Sequence, residues 1–333
     1  MTSELRASPA PSIDPSLLLG YCTETTFSPG EVLRRKGQFY ADMFLLTDGE
    51  VEVSLEANGR PAPVIRARRG DPIGEIAFLT GVRATATVTA KSPTRAIVIT
   101  DATWRELELK HPKEAVDLYR TLSEVAEGRL SYNLQFTADD AGSKRDAATE
   151  VIVCRTPQLL HEAQRIRYEI YCEELGRTSP FADHDKRTIA DDLDERGYVL
   201  LALENGTPIA TLRMNMSRNG SLGPLEELYG MEKSAHHPQA TGVCTKFIVR
   251  KSYRLGQVSF RLMATAIELA QQFEIKHCYI DCIPSLQPFY ASLGFAQAGP
   301  AFLHRENGRS IPLMLDVDRY AKRIMRLTGF VLR

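Results

Sequence analysis

The sequence lacks the features that mark secreted and membrane-spanning proteins. No run of about 18 apolar residues occurs, which is the length that a transmembrane helix needs. The segment from Met1 to Ser16 is rich in Pro, Ser and Ala and has no apolar stretch of the kind found in signal peptides. The 6 cysteines are scattered, with neither a C-x-x-C pair nor a dense framework. We therefore expect a cytoplasmic protein with reduced, buried thiols.

A large excess of charge is also missing. The 41 basic and 42 acidic side chains leave a formal net charge of −1, so no overall field draws nucleic acid or an anionic membrane toward the chain. Recognition of an anion must then come from a local site. The sequence therefore predicts small molecules or proteins as partners, and no nucleic acid.

Spacing typical of metal ligands is missing as well. His236 and His237 are adjacent, and His277 precedes Cys278 and Cys282 on a predicted strand. The two cysteines share one face of that strand, but four residues of strand separate them by roughly 13 Å, too far for one ion without a bend. We expect buried strand cysteines and no metal site.

Glycine turns divide the first third of the chain. Between Thr26 and Ile99 short alternating segments are separated by such turns, a spacing that fits a small β-barrel or jelly roll. Helical periodicity then runs from Asp101 to about Tyr132, with Pro112 separating a short helix from a longer one. The polar, aperiodic segment 136–149 is the best candidate for a linker. The predicted domains are therefore an all-β jelly-roll barrel with flanking helices over 18–135 and a second domain over 150–333.

Helices and strands interleave in the second domain, which predicts an α/β or α+β fold. A strand from Val243 to Val249 leads through a basic turn into a helix from about Val258 to Phe273, and a second strand follows. Unpaired backbone N–H groups at the start of that helix can hold a pyrophosphate. This order suits the binding of acyl-coenzyme A and predicts an acyltransferase. The other predicted elements are strands at 151–154, 198–203, 209–214 and 311–317 and helices at 157–175 and 318–327.

The first domain resembles the cyclic nucleotide-binding fold. The resemblance covers roughly residues 18 to 135 and is carried by Phe27-Ser28-Pro29-Gly30-Glu31-Val32, by the segment 43–53, and by Gly70 to Gly81. In that family a glycine lets the backbone approach the nucleotide, the next glutamate accepts from the ribose 2′-hydroxyl, and an arginine neutralises the cyclic phosphate. The resemblance implies cAMP or cGMP as an effector and gives the first two roles to Gly74 and Glu75.

The phosphate arginine falls one residue early. The family has proline and then arginine before the Thr-Ala-Thr strand, where this sequence has Arg83 and Ala84. A slip of one residue sends a side chain to the opposite face, so Arg83 reaches the phosphate only if the turn at Gly81 compensates. The alternative is a degenerate barrel used for dimerisation through the helix from Lys113 to Leu130. The predicted nucleotide site consists of Gly74, Glu75, Ile76, Arg83 and Thr85.

In the second domain, Tyr253 to Ser259 resembles the coenzyme A loop of the GNAT acyltransferases, R/Q-x-x-G-x-G/A. Arg254 aligns with the opening residue, while Gln257 and Ser259 replace the two small residues. Glycine lets N–H groups close around the pyrophosphate, whereas glutamine carries a bulky substituent. The predicted coenzyme A residues are Phe247, Val249, Arg254, Leu255, Gly256, Gln257, Val258 and Ser259.

A Phe-Tyr-x-x-Leu-Gly-Phe segment containing Tyr290 follows this loop. In the GNAT superfamily the corresponding tyrosine often protonates the departing coenzyme A thiolate, as a phenol within hydrogen-bond reach can do. The resemblance therefore makes Tyr290 the predicted catalytic acid. The alternative is that its ring only packs in the core.

Upstream residues are similar to those of the acyl-homoserine-lactone synthases and the related N-acyl amino acid synthases. In that branch an arginine and an aromatic four residues apart, two acidic residues three apart, and a strand arginine form the entry to the acceptor site. The tryptophan often found after the first helix is missing, because the only one is Trp104, so we favour the broad branch over a homoserine lactone product. The residues implied for the acceptor site are Arg167, Tyr171, Asp191, Asp194 and Arg213.

Two points about this acceptor site stay open. Arg167 and Asp194 are equally compatible with an ion pair on a solvated face. The base that deprotonates the amine is not identified by the sequence, although Glu226 or Glu227 is a candidate. Thr245-Lys246-Phe247 falls where these synthases carry a Ser-Arg-Phe-like strand start.

These patterns together predict a bacterial-type N-acyltransferase of the GNAT family. It would move an acyl group from acyl-coenzyme A or an acyl carrier protein to a small amine such as an amino acid, under control of a cyclic nucleotide. The basic run from Arg319 to Arg326 could contact an acidic acyl carrier protein, and the chain could form a homodimer. The alternatives are a cyclic-nucleotide-regulated protein lysine acetyltransferase and a non-catalytic sensor or scaffold.

Overall fold

The computed structural model describes residues 15–55, 64–137, 149–254 and 257–320. The chain divides into two compact units, unit 1 from Met1 to Asp146 and unit 2 from Ala147 to Arg333. Most of the predicted linker, 138–148, and most of the predicted basic helix lie outside the described residues. No helix in the described ranges is both long and apolar enough to cross a membrane.

Unit 1 contains two antiparallel sheets of four strands each, in the orders β1-β8-β3-β6 and β2-β7-β4-β5. The strands that the structure describes pair as these two open sheets and not as one closed barrel. The strands are β1 (Thr23–Phe27), β2 (Val32–Arg34), β3 (Asp42–Asp48), β4 (Glu50–Ser54), β5 (Val64–Arg68), β6 (Pro72–Ile73), β7 (Thr87–Ala90) and β8 (Thr94–Thr100).

Strand β3 contributes side chains to both hydrophobic cores of unit 1. Successive side chains of a strand point to opposite faces. Phe44 and Leu46 join a cluster drawn from both sheets, whereas Met43 and Leu45 join a cluster with the helices. The helices are α1 (Glu75–Thr80), α2 (Asp101–Lys110), capped by Thr100, and α3 (Pro112–Thr137), with a 3-10 turn at Pro15–Gly20.

Unit 2 is built on one eight-stranded mixed sheet. Its main order is β16-β18-β15-β14-β13-β12-β9, with β17 on β18. A separate pair, β10 and β11, completes the strands. They are β9 (Thr149–Val153), β10 (Ala182–Asp183), β11 (Thr188–Ile189), β12 (Tyr198–Glu204), β13 (Thr207–Met216), β14 (Thr241–Val249), β15 (His277–Cys282), β16 (Ala296–Gln297), β17 (Phe302–His304) and β18 (Gly308–Asp316).

The first helix of unit 2 differs from its prediction. The sequence predicts one helix over 157–175, but α4 (Pro157–Tyr168) changes into a π-helical turn at Glu169–Glu174. Such turns are rare and occur often at functional sites. The other helices are α5 (Leu193–Arg196), α6 (Leu225–Leu228), α7 (Val258–Gln272) and α8 (Gln287–Ser292), with 3-10 turns at Ser217–Asn219, Met231–Lys233, Lys251–Tyr253 and Pro284–Leu286.

Strand β14 is irregular on both of its sides, and on the side of β15 it leaves a gap in the sheet. Strands β14 and β15 are parallel and pair only where Thr241, Gly242 and Val243 lie opposite residues 277–279. Beyond Val243 the two strands are no longer paired. On its other side β14 has a bulge against β13, and Lys246 in that bulge has a left-handed φ of 52°. Bulges are common beside active sites because they redirect a side chain.

The cysteines are all free thiols, and they differ in burial. Cys244, Cys278 and Cys282 are buried as predicted, whereas Cys22, Cys154 and Cys172 are only half-buried. The described residues contain no group of three or more His, Cys, Asp or Glu side chains that could hold a metal ion.

Candidate active site

Two arginines and two aspartates form a buried ion cluster in unit 2. Nη1 of Arg167, a fully buried side chain of α4, lies 2.8 Å from both carboxylate oxygens of Asp194. Nη1 of Arg213 on β13 lies 2.8 Å from Oδ1 of the same aspartate, and its guanidinium also pairs with Asp191. We call these four residues the ion cluster. The structure thus brings together four of the five predicted acceptor residues, in the interior of unit 2 and not on a solvated face.

The charges of the ion cluster compensate one another. Burial by itself raises the pKa of Asp194, but the guanidinium groups of Arg167 and Arg213 outweigh it and hold that pKa below its ordinary value. Breaking such a pair leaves a buried charge without compensation, which is strongly destabilising. Nε of Arg213 also donates to the Thr245 hydroxyl at 3.0 Å, which joins the ion cluster to β14.

A cavity of about 570 Å³ opens beside the ion cluster. Of the predicted acceptor residues, Tyr171, Asp191 and Arg213 line it, while Arg167 and Asp194 lie behind them. One part of the wall is charged and another is apolar. The remaining lining residues are Phe181, Asp192, Leu193, Arg196, Ser221, Leu222, Gly223, Pro224, Leu225, Glu227, Leu228, Thr245, Lys246, Asp281, Leu303, His304, Arg305, Glu306 and Asn307.

Lys246 is the first cavity residue whose role the sequence did not reveal. Its ammonium lies 2.5 Å from Oε2 of Glu306 and 5.5 Å from the ring centroids of Tyr171 and Phe181. Burial lowers the pKa of Lys246, and the Glu306 carboxylate opposes that effect. Glu306 lies in the tight turn between β17 and β18, 60 positions along the chain, so no local pattern could have paired the two.

Asp281 is the second such residue. It lies on β15, and its Oδ1 accepts from the hydroxyl of the fully buried Tyr229 at 2.6 Å. Its Oδ2 accepts from the side-chain amide of Asn307 at 3.3 Å, and Arg177 donates to the other end of that amide at 2.7 Å. The available signal was a single acidic residue inside the otherwise apolar strand Cys278 to Cys282.

Tyr290 of α8 is buried and does not line the cavity. Its ring packs edge-on against Phe289 at 5.2 Å, Phe295 at 5.8 Å and Phe247 at 6.4 Å between centroids. Burial, and then the nearby Cys282 and Asp281, raises the pKa of its phenol, which therefore stays protonated. These contacts suit the packing alternative, and a protonated phenol also suits the predicted acid.

The predicted coenzyme A loop is only partly described, because Leu255 and Gly256 lie outside the described residues. Arg254 donates through Nε to the carbonyl oxygen of Val249 at 3.0 Å and pairs with Glu174 of the π turn. At the start of α7, the side chains of Val258 and Ser259 are buried and Gln257 is exposed. Phe247, on β14, packs against Tyr290.

The predicted nucleotide residues of unit 1 do not all meet. Gly74, Glu75, Ile76 and Thr85 line one cavity, but Arg83 does not; its Nη1 donates to the carbonyl oxygen of Gly37 at 3.1 Å. The arginine one position early thus points away, as expected where no turn compensates the slip. The cavity measures about 60 Å³, room for only a few water molecules.

A different arginine, Arg34, lines this cavity. Arg34 of β2 is buried, pairs with Asp42 at 2.9 Å, and has its guanidinium carbon 3.9 Å from the ring centroid of Phe44. Its Nε has no hydrogen-bond partner among the described residues, and a Cβ added to Gly74 would lie 3.2 Å from it. The predicted ribose acceptor Glu75 pairs with Arg129 of α3 at 2.8 Å. The cavity therefore has two arginines that the sequence did not suggest.

Comparison with protein families agrees with this division into two units. Residues 162–316 match the family model described as N-acyl amino acid synthase FeeM, and residues 24–111 match the cyclic nucleotide-binding domain. Unit 2 is similar to the N-acyl amino acid synthases. Unit 1 has the cyclic nucleotide-binding fold. The structure of FeeM from uncultured soil microbes is 18% identical, has a TM-score of 0.45, and covers 55% of this chain and 98% of that chain.

Two curated relatives match parts of the chain. A protein of Rhodopseudomonas palustris named as a potassium channel protein is 36% identical over 123 residues, which cover 36% of this chain and 28% of the relative. The L-ornithine N(alpha)-acyltransferase of Rhodobacter capsulatus is 40% identical over 45 residues, which cover 14% of this chain and 17% of that enzyme. The chain thus spans less than a third of the length of either relative.

Proposed function

We propose that unit 2 is an N-acyltransferase that moves an acyl group from a thioester to a small amine. The donor is acyl-coenzyme A or an acyl carrier protein, and the acceptor is an amino acid. The match of residues 162–316 to the N-acyl amino acid synthase FeeM supports this assignment. The single observation that carries it is the cavity of about 570 Å³ beside the gap between β14 and β15, walled by acidic and basic side chains.

The gap in the sheet supplies a place for the thioester. Because β14 is unpaired with β15 beyond Val243, backbone N–H groups on that side of β14 can polarise the thioester carbonyl. The cavity wall carries both signs of charge, with Lys246 and Arg213 as cations and Asp191 and Asp281 as anions. An amino acid presents one ammonium and one carboxylate, so it matches this wall better than an uncharged amine does.

In this proposal Tyr290 donates a proton to the departing thiolate. Its phenol stays protonated because burial raises the pKa, and a positioned acid lowers the barrier to expulsion of the thiolate. Tyr290→Phe keeps the aromatic contacts and removes only the hydroxyl. We expect at least about a tenfold loss of kcat with unchanged thermal stability. Full activity of this variant would leave Tyr290 with a packing role alone.

The assignment is tested with the purified full-length chain. Coenzyme A release from acetyl- and palmitoyl-coenzyme A is followed with each amino acid in turn and then with lysine-containing proteins. We expect release that depends on a free amino acid and an amide-linked product. Release with proteins only would favour a protein lysine acetyltransferase. Thioester binding without release, or no thioester binding, would favour a sensor or scaffold.

A specific observation favours a second function, in unit 1. We propose that it binds a cyclic nucleotide and that binding changes the rate of acyl transfer. Glu75 is paired with Arg129 of α3, and the cavity that both residues line measures only about 60 Å³. A nucleotide whose ribose takes Glu75 must displace Arg129, which couples the site to the helix that leads out of the domain. This coupling needs a ligand with different affinities for two states of α3.

Arg34 is the residue that we assign to the cyclic phosphate. It is buried, it lines the cavity, and its Nε has no partner among the described residues, whereas Arg83 is directed to Gly37. Titration of cAMP and cGMP into three proteins separates the candidates. We expect the wild type and Arg83→Ala to bind alike and Arg34→Lys to bind at least about tenfold more weakly, because lysine cannot reproduce the fork of donors. The reverse ranking would return the role to Arg83.

A further inference from the structure

Asp281 differs from the other buried or half-buried carboxylates of the cavity wall. Asp191 pairs with Arg213, and Glu306 pairs with Lys246. Within the described part of unit 2, Asp281 forms no ion pair; its partners are the Tyr229 hydroxyl and the Asn307 amide. Its negative charge is therefore compensated by neutral donors only. Such a group attracts a cation that arrives with the substrate.

The position of Asp281 suits contact with an acceptor amine at the gap between β14 and β15. It lies two residues beyond Tyr279, the last residue of β15 that is paired with β14. Its charge contributes to the raised pKa values of Tyr171, which lines the cavity, and of Tyr290, the proposed acid. Asp281 thus lines the acceptor cavity, and its charge acts on Tyr290, the residue proposed to protonate the thiolate.

The hydrogen bonds of Asp281 orient its carboxylate without using its full capacity. Each carboxylate oxygen can accept about two hydrogen bonds, and each receives one from the protein. Tyr229 remains a donor because burial, and then the charge of Asp281, raises the pKa of its phenol well above the ordinary value. One acceptor position on each oxygen is left for a substrate ammonium.

We propose that Asp281 holds the acceptor ammonium and removes its proton before the amine attacks the thioester. This inference rests on the proposed acyl transfer. Asp281 takes one proton from the ammonium, and the free electron pair on nitrogen forms the bond to the carbonyl carbon. The carbon–sulfur bond then breaks, and its electron pair leaves with sulfur. Tyr290 gives its proton to the departing thiolate, and the second proton lost from nitrogen restores the Tyr290 phenol, so the products are the amide, the free thiol and protonated Asp281.

The structure favours Asp281 over the two glutamates considered from the sequence. Oε1 of Glu226 accepts from the backbone N–H of Leu222 at 2.9 Å, which closes the turn before α6. Glu227 lines the cavity but is exposed to solvent. Within the described ranges of the chain, neither glutamate accepts from two side-chain donors of distant segments, as Asp281 does.

The test compares two nucleophiles in the wild type and in Asp281→Asn, with palmitoyl-coenzyme A as donor. One nucleophile is the best amino acid, whose ammonium must lose a proton; the other is hydroxylamine, which is uncharged at the assay pH. We expect amino-acid-dependent release of coenzyme A to fall at least about 100-fold in the variant, and hydroxylamine-dependent release to stay within about threefold. The amino-acid deficit should shrink as the pH rises from about 7 to about 9, because more of the amine is then neutral.

Further variants separate a chemical role from a structural one. Glu232→Gln, an exposed carboxylate-to-amide change close in sequence to Tyr229, should leave both rates unchanged. Tyr229→Phe, which removes one donor to Asp281, should lower only the amino-acid rate. The titratable groups around Asp281 are Tyr171 on the π turn, Tyr229 after α6, Tyr290 on α8 and Cys282 on β15, with Lys246 and Glu306 across the cavity. Burial raises the pKa values of the three phenols and of the Cys282 thiol, so these four groups stay neutral over the pH range of the test.

Four results would overturn the assignment. Equal loss with both nucleophiles would make Asp281 a structural residue. Unchanged rates would show that it has no role. The selective loss appearing in Glu227→Gln instead of Asp281→Asn would move the base to Glu227. Absence of coenzyme A release by the wild type with every nucleophile would reject the acyl transfer itself, and the assignment with it.

Discussion

Arg167 is the residue on which the interior of unit 2 depends most. It is fully buried, and among the residues that the structure describes its one ion pair is with Asp194. Arg167→Ala leaves Arg213 alone against Asp191 and Asp194, so the ion cluster carries one uncompensated negative charge and we expect a loss of about 3–5 kcal/mol in the free energy of unfolding. Arg165→Ala is a matched control on the same helix, because Arg165 pairs with Glu162 at the surface; its effect should stay within about 0.5 kcal/mol. Denaturant unfolding measures both, and equal effects would contradict the burial of the ion cluster.

The ion cluster also predicts how stability changes with pH. The folded-state pKa of Asp194 lies below its ordinary value, so the folded state binds the proton less tightly than the unfolded state does. The stabilisation is therefore complete above about pH 4 and is lost as the pH falls through the lower folded pKa. The difference in unfolding free energy between the wild type and Asp194→Asn should be largest near neutrality and shrink in acid. A difference that grows in acid would have the wrong sign.

At the scale of single elements, the approach of α5 to β13 fixes the position of the ion cluster. A Cβ added to Gly197 would lie 2.7 Å from the side-chain nitrogen of Asn215 and 3.1 Å from Cγ of Arg213. The φ of Gly197 is −110°, which other residues adopt, so the obstacle is the contact and not backbone strain. We expect Gly197→Ala to lower stability by about 1–3 kcal/mol and to reduce acyl transfer.

Gly128→Ala is the control for this substitution. Gly128 lies in α3 with nothing within 4 Å of an added Cβ, so alanine should raise stability by about 0.4–1 kcal/mol. Thermal unfolding and the rate of coenzyme A release distinguish the two variants. If Gly197→Ala behaved like Gly128→Ala, the close packing of α5 on β13 would be disproved.

The elements of this protein differ in how far the sequence predicts them. The alternation in β7 and the break at Pro112 follow local rules, and strand β7 and the start of α3 lie at the predicted places. The π turn after Tyr168 and the bulge at Lys246 depend on packing against neighbouring strands, and no local pattern encodes them. The same holds for the site: the resemblance to the synthases implies the four residues of the ion cluster, but the pairing of Lys246 with Glu306 is visible only in the folded chain.

For the whole molecule, the tandem order of the two units predicts control by a nucleotide. If a nucleotide displaces Arg129 from Glu75, Arg129→Ala should imitate the bound state, because Glu75 is then already released. We expect cAMP or cGMP to change the rate of acyl transfer by the wild type and to have at most a small further effect on Arg129→Ala. If neither nucleotide changes the rate or the thermal stability of the wild type, acyl transfer is not regulated by a cyclic nucleotide.

The function proposed for unit 2 is the transfer of an acyl group to the nitrogen of a small amine. The most direct measurement is mass spectrometry of the products formed by the full-length chain from palmitoyl-coenzyme A and a mixture of amino acids. We predict one N-acyl amino acid, formed in equal amount with free coenzyme A and nearly absent with Asp281→Asn. Free palmitate without any N-acylated amino acid, or acylated protein lysines alone, would contradict acyl transfer to a small amine.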